Sequence, residues 1–152
     1  MLRMTKQADY GIVLLARMAS EPDRVFNAGE LAAETHLPAP TVSKVLKLLV
    51  RGRLLESHRG VNGGYALAQI PAEISVAQVI AALEGPIAIT ECIDDTPGEC
   101  SQERLCPVRG NWQRINLAIR GALEEISLAE MIPPPARGLV SIGDGRSAGP
   151  EI

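Results

Sequence analysis

Apolar residues recur at helical spacing in several stretches of the chain. Ile12, Leu15, Ala16 and Ala19 form one stripe within residues 5–20, which predicts an amphipathic helix with Thr5 as its N-cap. Glu21-Pro22-Asp23 ends it. Asn27 can cap a second, short helix over 28–35, and His36-Leu37-Pro38 makes the following turn. Val42, Val45, Leu46 and Leu49 share one face of a third helix over 40–52, with Pro40 in its first turn and Gly52 as its stop. Two strand-like runs, 54–58 and 65–68, flank a Gly/Asn-rich connection and predict a β-hairpin. Ser75 can cap a fourth helix over 75–84, closed by Gly85-Pro86.

The clearest period lies in residues 107–126. Val108, Trp112, Ile115, Ile119, Ala122 and Ile126 step by 4, 3, 4, 3, 4, the seam of a helix that packs along another helix. An intrachain core helix is the alternative. The small amount of apolar chain left over favours a partner chain. Three helices followed by a hairpin is the winged helix-turn-helix order. The expected fold is therefore mainly α with a small β-hairpin. A winged helix-turn-helix DNA-binding domain spans 1–86, a cysteine loop 87–106, a long dimerisation helix 107–132 and a disordered tail 133–152, rich in Gly, Pro, Ser and Arg.

Composition narrows this picture. Aromatic residues make up 3% of the chain, so the core must be aliphatic. No apolar run reaches the length of a membrane span. The run 10–16 follows Arg3 and Lys6 as a signal peptide would, but Asp9 precedes it and Arg17 interrupts it, so it reads as a cytoplasmic helix. The net charge of −3 conceals an asymmetry: residues 1–70 carry nine Lys/Arg against six Asp/Glu, and residues 71–132 carry four against ten. Binding to nucleic acid needs only local positive potential, and the first half supplies it.

The second helix of a helix-turn-helix enters the major groove. Here that is 40–52, where Lys44, Lys47 and Arg51 lie opposite the apolar stripe and can meet phosphates and base edges. Thr41 and Ser43 add short polar groups near its start. The hairpin brings Arg59 together with Gly60, Gly63 and Gly64. Such a wing lets backbone approach DNA, and an Arg at its tip can enter a minor groove. Any one of these basic residues alone reads as a solvated charge; order, spacing and charge together point to DNA. Ser/His/Asp and Cys/His sets, a phosphate-cradling glycine loop after a strand, and a paired carboxylate cleft are all missing from the sequence, which argues against an enzyme.

All three cysteines, Cys92, Cys100 and Cys106, fall within fifteen residues. An odd number cannot be consumed by internal disulfides, and unpaired cysteines suit a reducing cytoplasm. They read either as buried apolar thiols or as three thiolate ligands of a soft-metal site with a fourth, weaker position.

The chain resembles the bacterial winged-helix regulators that include the iron–sulfur regulator IscR and the nitric-oxide sensor NsrR. The likeness covers about residues 1–132. It is carried by MTKQADYGIVLLARMA, by LAAETHLPAPTVSKVLKLLVRGRLLESHRGVNGGYALA, by ISVAQVIAALEGP, and by three cysteines before a long helix. The stretch CPVRGNWQRINLAIRGALEEISLAEM is most similar to the branch that regulates the SUF iron–sulfur assembly genes. The resemblance implies a homodimer on a partly palindromic double-stranded operator, with the long helix as dimer contact. It also implies an iron–sulfur cluster, 2Fe–2S or 4Fe–4S, on Cys92, Cys100 and Cys106. Some members add a histidine three residues after the last cysteine; this chain has Arg109 there. Others use an aspartate from the partner's first helix, and Asp9 occupies the matching place. The first cysteine gap holds seven residues here, where five is common in the family.

Pro107 reads as the first residue of the long helix, so Cys106 is expected near its N-cap, where a thiolate gains from the positive helix end. The site should order when its metal binds. Zinc fits less well, because structural zinc sites favour short C-x-x-C pairs and four protein ligands. The expected function is a repressor that senses iron–sulfur status and controls suf-type genes. The alternatives are a nitric-oxide or redox sensor of detoxification genes, and a cluster carrier that does not bind DNA.

Overall fold

The computed structural model describes residues 3–90, 93 and 105–133. Helix α1 (Lys6–Ala19) opens at Thr5, whose hydroxyl accepts a hydrogen bond from the Ala8 amide at 3.1 Å. Helix α2 (Ala28–Thr35) opens at Asn27, whose side-chain oxygen accepts from the Glu30 amide at 2.8 Å. Phe26 and Leu31 flank that cap at the spacing of a hydrophobic staple, and both are fully buried. His36, with φ 56°, turns the chain out of α2. Helix α3 (Ala39–Arg51) follows with Pro40 inside its first turn. The caps and the helix-turn-helix order agree with the expectation to within one residue.

Strands β1 (Leu55–His58) and β2 (Gly64–Leu67) pair antiparallel, with Leu55 opposite Leu67 and His58 opposite Gly64. Phe26, two residues before α2, adds a bridge on the other side of β2: the Phe26 amide donates to the Tyr65 carbonyl at 2.8 Å, and the Tyr65 amide to the Phe26 carbonyl at 2.7 Å. The wing is thus anchored to the helix-turn-helix through its backbone. A short 3₁₀ turn (Pro71–Glu73) leads to α4 (Val76–Glu84), whose N-terminus carries a reciprocal Ser75/Gln78 capping box.

The core is aliphatic, as the composition requires, with Leu14, Leu15, Val45, Leu46, Leu49 and Ile74 fully enclosed. Its single phenylalanine is an exception the sequence reading passed over. Phe26 is buried, and the guanidinium carbons of Arg17 and Arg24 stand 5.0 and 4.6 Å from its ring centroid. Arg17 also pairs with Glu34 at 2.6 Å and Glu21 at 2.8 Å, while Arg24 pairs with Glu30 and Glu21. The hydrogen bond from Arg17 holds the Glu21 carboxyl below its usual range, and the same contact, followed by Glu34, raises Arg17.

Two helices, the long helix and α3, differ from expectation at their ends. The long helix, α5 (Arg109–Glu125), begins two residues after Pro107, with Val108 at its N-cap, and Cys106 lies in the turn before it. It also stops at Glu125, because Ile126 goes extended (φ −90°, ψ 118°). There the Val76 amide donates to the Ile126 carbonyl at 2.9 Å and the Leu128 amide to the Ile74 carbonyl at 2.7 Å. This bridges Ser127 to Ser75 and turns the chain into a further short helix, α6 (Leu128–Met131), with its own Ser127/Glu130 capping box. Leu128 enters the core at 1% exposure. The segment 107–132 is therefore two helices, the second docked on the winged-helix body. Of the expected tail, all but Pro133 lies outside the described residues.

The second difference is at the end of α3. Gly52 has φ −76°, and the left-handed residue is Arg53, with φ 61°. The Arg53 amide donates to the Val50 carbonyl and the Leu54 amide to the Leu49 carbonyl, each at 3.0 Å, the paired bonds of a Schellman motif. Gly52 is there for packing instead: a Cβ would lie 2.5 Å from the Cβ of Ala82 on α4.

Candidate functional site

The buried stripe Val42, Val45, Leu46 and Leu49 fixes the rotation of α3 about its axis. That rotation leaves Lys44, Lys47 and Arg51 exposed along the opposite face, with Thr41 and Ser43 half-buried at its flanks. Among the described residues, none of the three cations is in an ion pair. They are free to meet phosphates.

In the wing, Arg59 and Gly60 are exposed, and the neighbouring Val61 is wholly so. Gly60 takes φ 107°, and its missing side chain faces open space. Gly63 and Gly64 answer to the chain's own backbone. A Cβ on Gly63 would fall on the His58 carbonyl oxygen, and one on Gly64 on the Phe26 carbonyl oxygen. The sequence reading assigned both to DNA approach; their first role is to let the hairpin close and seat against Phe26.

The expected seam of α5 faces outward. Val108 and Ile115 are 45% exposed and Trp112 39%; Ala122 and Ile126 are exposed and Ile119 is half-buried. The opposite face packs on α4 and on the segment after it. There the sequence reading missed Asn116, the one buried polar side chain among the described residues. Its amide nitrogen donates to the Ile87 carbonyl at 3.0 Å and its oxygen accepts from the Ile89 amide at 3.2 Å. This ties the segment leading to the cysteines to the middle of α5. The cleft beside it, about 620 Å³, is lined by Gln78, Ile87, Gln113 and Arg120 among others.

Of the expected cluster ligands, Cys106 is half-buried, and its carbonyl accepts from the Arg109 amide at 3.4 Å. Cys92 and Cys100 lie outside the described residues. Asp9 is exposed in the first turn of α1. The N-terminus of that helix is tethered to α4, through Thr5 to Glu84 and through Gln7 to the Leu83 carbonyl at 2.7 Å. Among the described residues, no three His, Cys, Asp or Glu side chains gather as a metal site. No helix among them is long and apolar enough to cross a membrane.

A helix-turn-helix with an unpaired cationic face, a backbone-anchored wing and an outward apolar helix define a winged-helix DNA-binding regulator. Residues 4–134 match the family model Rrf2, described as iron-dependent transcriptional regulator, and the chain belongs to this family. It is 32% identical over 133 residues to a Mycobacterium tuberculosis protein named as an HTH-type transcriptional regulator, covering 86% of this chain and 81% of that one. It is 26% identical over 132 residues to the HTH-type transcriptional regulator NsrR of Halalkalibacterium halodurans, covering 86% and 87%. Among solved structures it is similar to CymR, the global cysteine regulator of B. subtilis, with TM-score 0.67 and 25% identity over 87% of this chain and 97% of that one. The fold is also that of T. potens IscR, with TM-score 0.63 and 24% identity over 86% and 85% of the two chains.

Proposed function

We propose that the chain is a homodimeric, cytoplasmic repressor that reads iron–sulfur status at a palindromic operator and controls suf-type assembly genes. The observation that carries this reading is the position of Cys106. It lies in the turn that starts α5, the helix whose outer apolar face is exposed among the described residues and whose inner face holds the chain before Cys92. A group bound there acts on the dimer helix directly. The donor set fits a cluster: three thiolates from Cys92, Cys100 and Cys106, with an exposed carboxylate, Asp9, to supply a hard fourth ligand from the second copy. Bound, the cluster would give each subunit a group that nitric oxide, oxygen or iron loss can alter. The likeness to NsrR supports a second reading, a nitric-oxide-sensing repressor of detoxification genes.

The test is anaerobic purification with iron and sulfide counts per chain, a visible spectrum, and binding to the chain's own upstream DNA. Matched iron and sulfide with cluster-dependent binding is the expected result. A colourless protein that cannot be reconstituted would leave a DNA-binding regulator of another signal. Asp9→Ala should weaken cluster-dependent binding; unchanged coupling removes Asp9 from the ligand set.

A further inference from the structure

We propose that Arg53 is a DNA-phosphate contact, placed between the recognition helix and the wing. The inference rests on the DNA-binding reading of α3 and the hairpin. It begins from a mismatch between backbone and side chain. The residue after the cap of a helix closed by a Schellman motif is left-handed, and glycine is the usual occupant because a Cβ is disfavoured there. This chain has a glycine one residue too early. Gly52 is held at its position by Ala82, and the left-handed conformation falls on Arg53 at φ 61°. Nothing comparable holds arginine at 53. The side chain is exposed, and among the described residues it has no ion pair or hydrogen bond. The fold gains nothing from it that glycine would not supply. A conformationally disfavoured residue with an idle, fully charged side chain points to a role outside the fold.

Its place supplies the role. Arg53 extends the series Lys44, Lys47, Arg51 past the helix end and precedes β1, whose last residue, His58, is followed by Arg59. A recognition helix in a major groove and a wing in the adjoining minor groove are separated by one sugar–phosphate strand. Arg53 stands at the junction of the two elements, two residues from the end of α3 and two from the start of β1. The turn, closed by the Arg53 and Leu54 amides, fixes the backbone from which the free guanidinium can reach a phosphate oxygen on that strand. The competing account is that Arg53 only complements the negative end of α3. Arg51 already stands in that last turn.

The two accounts separate by salt dependence. The probe is a mixed-sequence 30-base-pair duplex, read by fluorescence anisotropy from about 50 to 200 mM KCl. Arg53→Gln keeps the backbone demand and removes the charge. It should weaken binding roughly three- to tenfold at the lower salt and reduce the slope of log K against log salt by about one. Arg53→Lys should keep the slope. Arg53→Gly should lose the same slope while its melting temperature rises by about 1–4 °C, because the left-handed turn is then free of a Cβ. Wild-type slope and affinity in both Arg53→Gln and Arg53→Gly would overturn the proposal and leave the DNA-binding reading standing. A lower melting temperature in Arg53→Gly would remove its premise. Failure of the wild-type protein to bind any duplex would remove both together.

Discussion

Single residues divide into those whose role is local and those whose role depends on a distant neighbour. Thr5, Asn27 and Ser75 were legible as caps because each needs only an amide two or three residues ahead. Gly52 does end α3, as its place after the apolar stripe implied, but the further reasons for Gly52 and Gly64, Ala82 and the Phe26 carbonyl, are announced by no local pattern. The fit at Gly64 gives a sharp expectation. Gly64→Ala places a methyl group on backbone that cannot move without breaking the Phe26–Tyr65 rung. The change should cost about 1–3 kcal/mol in urea unfolding and weaken DNA binding as the wing loses its seat. A stable variant with full binding would mean the hairpin is not held through Phe26.

The elements were read well where one face of a helix meets one core, and poorly where a helix has two employments. The 4-3 spacing of α5 marked its outer face, but Asn116, one residue off that seam, gave no signal. It is the buried fastening for Ile87 and Ile89. The short α6 escaped because the apolar period runs into Ile126 without a break; the capping pair Ser127 and Glu130 was its signal. The outer face of α5 carries the dimer expectation. Ile115→Glu should convert a dimer to a monomer in sedimentation while leaving the helical circular dichroism intact, and an unchanged dimer would place the contact elsewhere. The cap of α6 has a pH signature. The Ser127 amide, and then its hydroxyl, hold the Glu130 carboxyl below the usual carboxylate range. A lowered folded-state value means the stabilisation is complete above about pH 4.5 and lost as pH falls through that lowered value. Urea unfolding at descending pH should show an acid limb that is shallower in Glu130→Gln; identical limbs would exclude this group.

Across the whole molecule, the winged-helix class followed from element order alone, whereas the packing of α6 onto the first four helices did not. The reason is physical: sequence periodicity reports which face of an element is apolar and not which other element covers it. Leu128, the Ser75–Ser127 bridge and α6 close the body that the first eighty-six residues begin. The metal-binding expectation sits at the opposite extreme. Its cysteines were the plainest chemical signal in the chain, and two of the three lie outside the described residues.

That late closure bears on how the protein is made. A chain emerging from the ribosome exposes α3 and the wing long before residue 128 leaves the exit tunnel. Until then the slot for Leu128 stands open beside Ile74, and the amide of Val76 has no carbonyl to meet. The winged-helix body is therefore completed only by residues that follow α5. A chain ending before that point lacks the Leu128 contact and the Ser75–Ser127 bridge, and should unfold at lower urea than the full chain.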